Sequence, residues 1–234
     1  MKIKVVIDDK SMSKKLISKH ALSLFVESAD IYLLFDLGVD AGSLAHNIRA
    51  LDIDIGMVDY VVISHEHAPH YGGYSYLAEE IPLARIHIPY GSMESLGRLL
   101  ERNGLRPVEM RGWLKVGEDV FIVGPFFGPP YEHFLVVDHD KGLIVVSGCM
   151  HPGVSVLEKI LEKMPKDIYM LIGGLHLSNA PDDILDSRID MLINRYGVKY
   201  VVPLHCSGER FINKLRERYR DRLLEATGGS VITV

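Results

Sequence analysis

The chain has 234 residues, 47% of them hydrophobic and 24% charged, with a net charge of −5. That is ordinary for a globular protein with a sizeable core, and no Lys/Arg block gives it a face for nucleic acid. Lys14-Lys15 and the 216–222 stretch are the densest basic segments, and Glu217 and Asp221 interrupt the second. No apolar span approaches the length of about 18 residues a membrane helix needs. The opening MKIKVVIDDK reads as a strand rather than a signal peptide, so a soluble, cytoplasmic protein is expected. Residues 1–234 are expected to form one domain. Two cysteines, Cys149 and Cys206, do not make a disulfide framework. The lack of Gln, with abundant Ile, Val, Glu and Arg, leans towards a thermophile.

Residues 2–7 predict a strand. Residues 8–19 are polar and irregular, a short helix or a flap. Residues 22–27 and 31–35 predict paired strands, and 43–51 a short helix with Leu44, Ile48 and Leu51 at helical spacing. Residues 72–80 should be helical, 85–88 a strand, and 92–103 a helix capped by Ser92 and stopped by Gly104. Residues 107–123 suggest two or three antiparallel strands. Residues 124–130 (GPFFGPP) read as a stiff, turn-rich loop, either a plain connection or the lining of a substrate mouth. Residues 133–138 and 143–147 form a hairpin. The second half then alternates strand and helix. Pro152 opens one helix, Pro181-Asp182-Asp183 another, and Ser207 caps the last, 208–219. Strands with helices outside them suggest a layered α/β fold.

The chemistry gathers at strand ends. Val61-Val62-Ile63 runs into Ser64-His65-Glu66-His67-Ala68-Pro69-His70, three histidines within six residues. The runs 143–147, 168–172 and 200–204 end likewise at Cys149-Met150-His151, at His176 and at His205-Cys206. Ligands collect at the carboxyl edge of such sheets, and neutral imidazole is the commonest metal ligand. The repetition points to a shared metal centre, beside which both thiols lie. His46, His87, His133 and His139 carry no motif and read as surface or packing residues.

Ser64 to Gly73 resembles the SHxHxDHxGG signature of the metallo-β-lactamase superfamily, with Pro69 where that signature has Asp. The segments 148–153, 173–177 and 205–208 are similar to GCSHPG, GGFHL and HCTG of its dihydropteroate-synthase-like pterin subgroup. Residues 20–23 and 35–38 are similar to that subgroup's HGLS and FDTG, so the likeness runs from about residue 20 to 210. The resemblance implies a four-layer αββα sandwich. It implies one metal held by His65, His67 and His151, and a second held by His70, His205 and, as bridge or ligand, Cys149. Zn²⁺ is the expected ion, one or two per chain, with Fe, Mn or Mg as alternatives. Without the motif Asp the second site is expected to be weak, because histidines bring no charge to offset two dications.

Asp36 is expected to fix a histidine tautomer, and His176 to ligate metal or to act as a general acid on substrate. His20 and Glu66 are candidate substrate contacts. The leading reading is a hydrolase in which metal-bound hydroxide attacks an ester or phosphate-bearing small molecule. The alternatives are a transferase joining a pterin to a phosphorylated arylamine, and a degenerate metal-binding member without turnover. The substrate is expected to be a small anion, because His151 and His205 precede helix N-termini.

Overall fold

Gly142–Ser147 (β10) is buried along its whole length. Leu143 and Val145 face one apolar cluster, and Ile144 and Val146 face another. A strand divides its side chains this way when it lies between two covering layers. Tyr32–Phe35 (β3) does the same, with Leu33 and Phe35 on one side and Leu34 on the other. The computed structural model describes residues 1–234 and assembles these strands into four layers, the αββα arrangement that the resemblance implies.

The first sheet has the order β13-β1-β2-β3-β4-β5-β6. Its strands are β1 (Lys2–Ile7), β2 (Ser23–Glu27), β3, β4 (Tyr60–Val62), β5 (Arg85–Ile88), β6 (Arg106–Glu109) and β13 (Val231–Thr233). From β3 to β6 they run parallel. The second sheet has the order β12-β11-β10-β9-β8-β7. It comprises β7 (Leu114–Lys115), β8 (Val120–Phe127), β9 (Tyr131–His139), β10, β11 (Ile168–Gly173) and β12 (Tyr200–Pro203). β10, β11 and β12 are parallel, and β7 to β10 antiparallel.

Between the sheets pack Ile3, Leu24, Phe35, Val62, Ile122, Leu135, Val146 and Ile172. The outer face of the first sheet is covered by α1 (Ala41–Ala50), α3 (Tyr74–Glu80) and α4 (Arg98–Arg102), through Leu44, Ile48, Leu77 and Leu100. The outer face of the second is covered by α5 (Val156–Lys163), α6 (Asp182–Asp190) and α7 (Glu209–Arg218), through Leu157, Ile160, Leu185, Phe211 and Leu215. The carboxyl ends of β3, β4, β10, β11 and β12 meet at one edge, where the histidine loops lie.

Several elements differ from the sequence reading. Residues 8–19 are neither helix nor free flap. They cross the sheet edge as an irregular strap, tied by Met12 N–H to the Gly228 carbonyl (2.9 Å) and by Asn47, whose amide donates to the Val6 and Ile17 carbonyls. Helix α1 starts two residues before Ser43, capped by the Asp40 carboxylate accepting from Ser43 N–H at 2.8 Å. Ser92 does not cap with its side chain. Its carbonyl accepts from Gly97 N–H (2.9 Å), opening a wide turn ahead of α4. β6 joins the first sheet in parallel with β5, not an antiparallel group with β7 and β8. The 124–130 stretch is mostly strand, since β8 runs to Phe127 through an irregularity between Val123 and Phe126. Pro152 does not open a helix. Residues 150–153 form a tight turn, with Met150 and Gly153 at φ 56° and 78°, and α5 waits until Val156. Ser207 is no cap either, because its hydroxyl donates to the carbonyls of Leu204 and Gly173. No helix is long and apolar enough to cross a membrane.

His133 is fully buried, and neither ring nitrogen has a hydrogen-bond partner of good geometry. Burial, then the neighbouring His87, pushes its pKa down to about 3. The folded chain therefore refuses a proton that the unfolded chain accepts near pH 6.5. Stability from this residue is fully present above about pH 6.5 and drains at about 1.4 kcal/mol per pH unit as pH falls towards 3. His133→Leu is expected to match or exceed the wild type at pH 7, since it deletes an unpartnered polar ring. Its advantage should widen on acidification, read as urea midpoints between pH 7 and 4; a pH-independent difference would refute the assignment.

Candidate metal centre

Each donor owes its place to a strand end. β3 delivers Asp36, and β4 delivers Ser64 and His65. The short helix α2 (Ala68–Tyr71) carries His70, with Pro69 in its first turn, where a missing N–H costs nothing. β10 delivers Cys149 and His151, β11 delivers His176, and β12 delivers His205 and Cys206. Asp36, Met150, His176 and His205 all have positive φ, from 47° to 60°. Such strain costs about 1–3 kcal/mol per residue and is typical of functional sites. Gly148 lies so close to the Ser64 hydroxyl that any Cβ would collide with it.

The imidazoles converge. The ring of His65 lies 4.6 Å from that of His151, 4.9 Å from His67 and 4.1 Å from His70. His67 and His151 are 4.9 Å apart, His70 and His205 5.1 Å, and His151 and His176 4.5 Å. Ligand atoms of His65, Cys149 and His151 lie within 4.8 Å of one another, as do those of His70, Cys149 and His205, and those of Cys149, His176 and Cys206. Cys149 is common to all three groups. His67 is exposed and approaches through its ring; its nitrogens complete none of these groups.

Nε2 of His65 and Nε2 of His151 are buried and have no hydrogen-bond partner. A buried acceptor left bare costs about 1–3 kcal/mol, so both atoms are suited to a cation. Burial and the neighbouring imidazoles push His151 down to about 4 and His65 well below its usual value. The rings therefore stay neutral at pH 7, with lone pairs available. Imidazole and thiol donors fit zinc, and also iron, far better than magnesium.

Buried carboxylates hold these rings. Asp36, fully buried, accepts from Ser64 N–H (2.7 Å), Ser64 Oγ–H (2.8 Å) and His70 Nδ1–H (2.7 Å). Ser64 Oγ in turn lies 2.9 Å from Nδ1 of His65. That chain puts the ring proton on Nδ1 and leaves Nε2 free in both histidines. Burial pushes the Asp36 carboxyl up to about 8 against its hydrogen bonds from Ser64; a cation at the centre favours the charged form.

Glu132, missed as a site residue by the sequence reading, does the same for the second sheet. One oxygen accepts from the backbone of Gly148, Cys149 and Met150 at 2.9–3.1 Å, the other from His151 at 2.7 Å. Its signal was an acid directly ahead of the apolar run Phe134–Val137 of its strand. Asp8 and Asp9, also missed, stand at the end of β1 and obey the rule used for the histidines. Asp8 accepts from His205 N–H, and Asp9 bridges Nδ1 of His205 and of His20, each at 2.8 Å.

The two sulfurs are 3.1 Å apart, and His176 N–H donates to Cys206 at 3.2 Å. The hydrogen bond with Cys149 and the His176 ring pull Cys206 down to about 4 against its burial, while Cys149 is pushed up. Cys206 is therefore the more acidic of the two thiols. Cys149 falls among the second donor set, as the resemblance implies, and Pro69 has no side-chain donor to add to it. Cys149 lies 3.3 Å from Nε2 of His70. Of the proposed substrate contacts, exposed His20 sets its ring 4.5 Å from that of His205, tilted by 41°. Glu66 is half-buried and joins no hydrogen bond or donor group. Beside His205 opens a cavity of about 440 Å³, lined by Asp9, Lys10, Ile212, Arg216, Leu223 and Thr227 among others.

The family model described as the metallo-beta-lactamase superfamily matches residues 19–159, more than half of the chain. The chain belongs to the metallo-β-lactamase superfamily. It is 27% identical over 265 aligned residues, 92% of this chain and 90% of the relative, to the 7,8-dihydropterin-6-methyl-4-(β-D-ribofuranosyl)-aminobenzene-5′-phosphate synthase of Methanocaldococcus jannaschii. Among solved structures, a metal-dependent hydrolase of the β-lactamase superfamily superposes with TM-score 0.86 at 26% identity, covering 100% of this chain and 99% of that one. The short form of human tRNase Z superposes with TM-score 0.68 at 14% identity, with 100% and 99% coverage, a likeness of fold alone.

Glu132→Ala would release four loop amides in a place closed to water. It is expected to cost about 3 kcal/mol or more in unfolding free energy and to weaken metal binding about 10- to 100-fold, read by denaturant melts and chelator competition. Metal analysis of protein prepared without added ions is expected to find zinc or iron rather than magnesium. Replacing both cysteines by serine should reduce that soft-metal content; a magnesium protein indifferent to the change would refute the sulfur assignment.

Proposed function

We propose that this chain is a metal-dependent transferase joining a reduced pterin to a phosphorylated arylamine. The observation that carries the reading is end-to-end similarity to a synthase whose name states such a product, in a chain whose own donors converge at one sheet edge. A bond forms between the exocyclic methylene carbon of the pterin and the arylamine nitrogen. Pyrophosphate leaves with the electron pair of the broken carbon–oxygen bond, and the amine gives up a proton.

His65 and His151 would hold one cation together with His67, whose ring lies 4.9 Å from each of theirs, and His70, His205 and Cys149 would form the second donor set. A divalent ion there supplies Lewis acidity towards a phosphate oxygen. His176, exposed at the mouth, accepts the amine's proton. Its hydrogen bond with Cys206, opposed by partial burial, raises its pKa from the ordinary value, which suits proton transfer near neutral pH. The substrate is a small phosphate-bearing molecule entering beside Lys10 and Arg216. Both cations are paired with exposed glutamates, Glu209 and Glu225, contacts weak enough for a phosphate to displace. This chemistry needs neither nucleic acid nor membrane.

Hydrolysis is the second reading, favoured by the metal-dependent hydrolase of similar fold at 26% identity. The two separate in one assay: metal-loaded protein with a pterin methyl pyrophosphate, with and without the ribosyl arylamine phosphate. Pyrophosphate release that requires the arylamine, with the coupled product seen by mass, is the expected result. Release at an equal rate without arylamine makes it a hydrolase, and no turnover of either kind sinks both readings. His176→Asn is expected to lower kcat about 10²- to 10⁴-fold with metal content unchanged.

A further inference from the structure

Of the seven phenylalanines, only Phe127 is exposed, at 65%. Burying such a ring is worth about 1.5–3 kcal/mol, and the chain forgoes that at one place. Phe127 is the last residue of β8 and faces Tyr131, the first of β9, across the hairpin. Their ring centres are 5.0 Å apart, inclined at 62°. Tyr90, two residues beyond the end of β5 and 41% exposed, sets its ring edge-on to Tyr131 at 5.1 Å. An aromatic ladder thus spans the rims of both sheets.

The topology puts this ladder on the edge that carries the metal donors. β5 runs parallel to β4, whose end delivers His65. β9 runs antiparallel to β10, so its first residue lies beside the loop that holds Cys149 and His151. The join is tight. Gly128, between Phe127 and Tyr131, packs on the His151–Pro152 peptide so closely that a Cβ would collide with it. Glu132, next to Tyr131, binds the four amides of residues 148–151. The ladder and the ligand loop therefore move as one body.

We propose that Tyr90, Phe127 and Tyr131 form a stacking platform that seats a planar aromatic ring of the substrate against the metal centre. Stacking of a flat ring on an aromatic side chain is worth about 1–3 kcal/mol, and rigid rings lose little entropy in binding. The sequence allowed the 124–130 stretch only a plain connection or a substrate mouth. The exposed, laddered rings favour the mouth. The platform deepens the transferase reading, in which both substrates carry flat rings, but it stands without that reading.

Equilibrium binding to the metal-loaded protein tests it, with 6-hydroxymethylpterin and 4-aminobenzoate as ring probes and cyclohexanecarboxylate and orthophosphate as non-aromatic controls. At least one ring probe is expected to bind more tightly than both controls, and the one that does names the ring the platform prefers. Phe127→Ala and Tyr131→Leu should each weaken it about 5- to 100-fold, while Phe127→Trp keeps the affinity and all three variants keep the metal. Ring probes that bind no better than the controls would overturn the proposal. So would a Phe127→Ala protein with full metal content and unchanged ring affinity, including one whose only defect is loss of a dimer. Ring binding that depends on Phe127 without any coupled product would sink the transferase reading and leave the platform standing.

Discussion

A carboxylate sealed from water must be surrounded by donors, and the centre of this protein is built on that demand. Asp36 and Glu132 are both fully buried. Each spends its oxygens on the elements that carry metal donors: Asp36 on Ser64 and His70, Glu132 on the amides of residues 148–151. One belongs to each sheet. The main-chain N–H of His133 donating to the Ser64 carbonyl at 3.0 Å joins the two systems. The desolvation cost of the acids is met only when both loops are in place, so the donors are positioned before any cation arrives.

Pro69, at the position where the resemblance implies an Asp, brings no charge to the centre. Pro69 contributes a helix start, and its carbonyl accepts from Leu22 N–H at 3.2 Å. Cys149 and Cys206, from the opposite sheet, bring sulfur to the centre. Cys206, hydrogen-bonded to Cys149 and beside the His176 ring, is the more acidic thiol of the pair. Sulfur among the donors shifts the preferred ion towards the softer end, and Cys149 is common to the three groups that bring sulfur and imidazole together.

The centre is also asymmetric. On one flank the strap, α7 and the C-terminal segment enclose a polar cavity against His205. On the other the β8–β9 hairpin sets exposed aromatic rings against the His151 turn. A substrate with a charged end and a flat end fits that division.

The sequence alone determined a good deal. Strand-end histidines at 65, 151, 176 and 205 implied one shared edge, because parallel strands bring their carboxyl ends together, and the motif residues implied the αββα layers. What it could not carry was any partnership whose members are remote in the chain and individually unremarkable. Glu132 reads as one acid in a strand until four amides from residues 148–151 close around it. Asp8 and Asp9 read as a turn until β12 brings His205 beside them. Cys149 and Cys206 read as two thiols beside the histidines, but their 3.1 Å contact is set only by the packing of the loops after β10 and β12. Turn geometry escaped too: Pro152 and Ser207 carry helix-start chemistry, but their backbones are committed to presenting His151 and to bracing the loop after β12. Local propensity was overridden there because the amides that satisfy the buried acids Glu132 and Asp8 outweigh both the strain of the left-handed residues at 150 and 205 and the roughly 1 kcal/mol that a helix cap supplies.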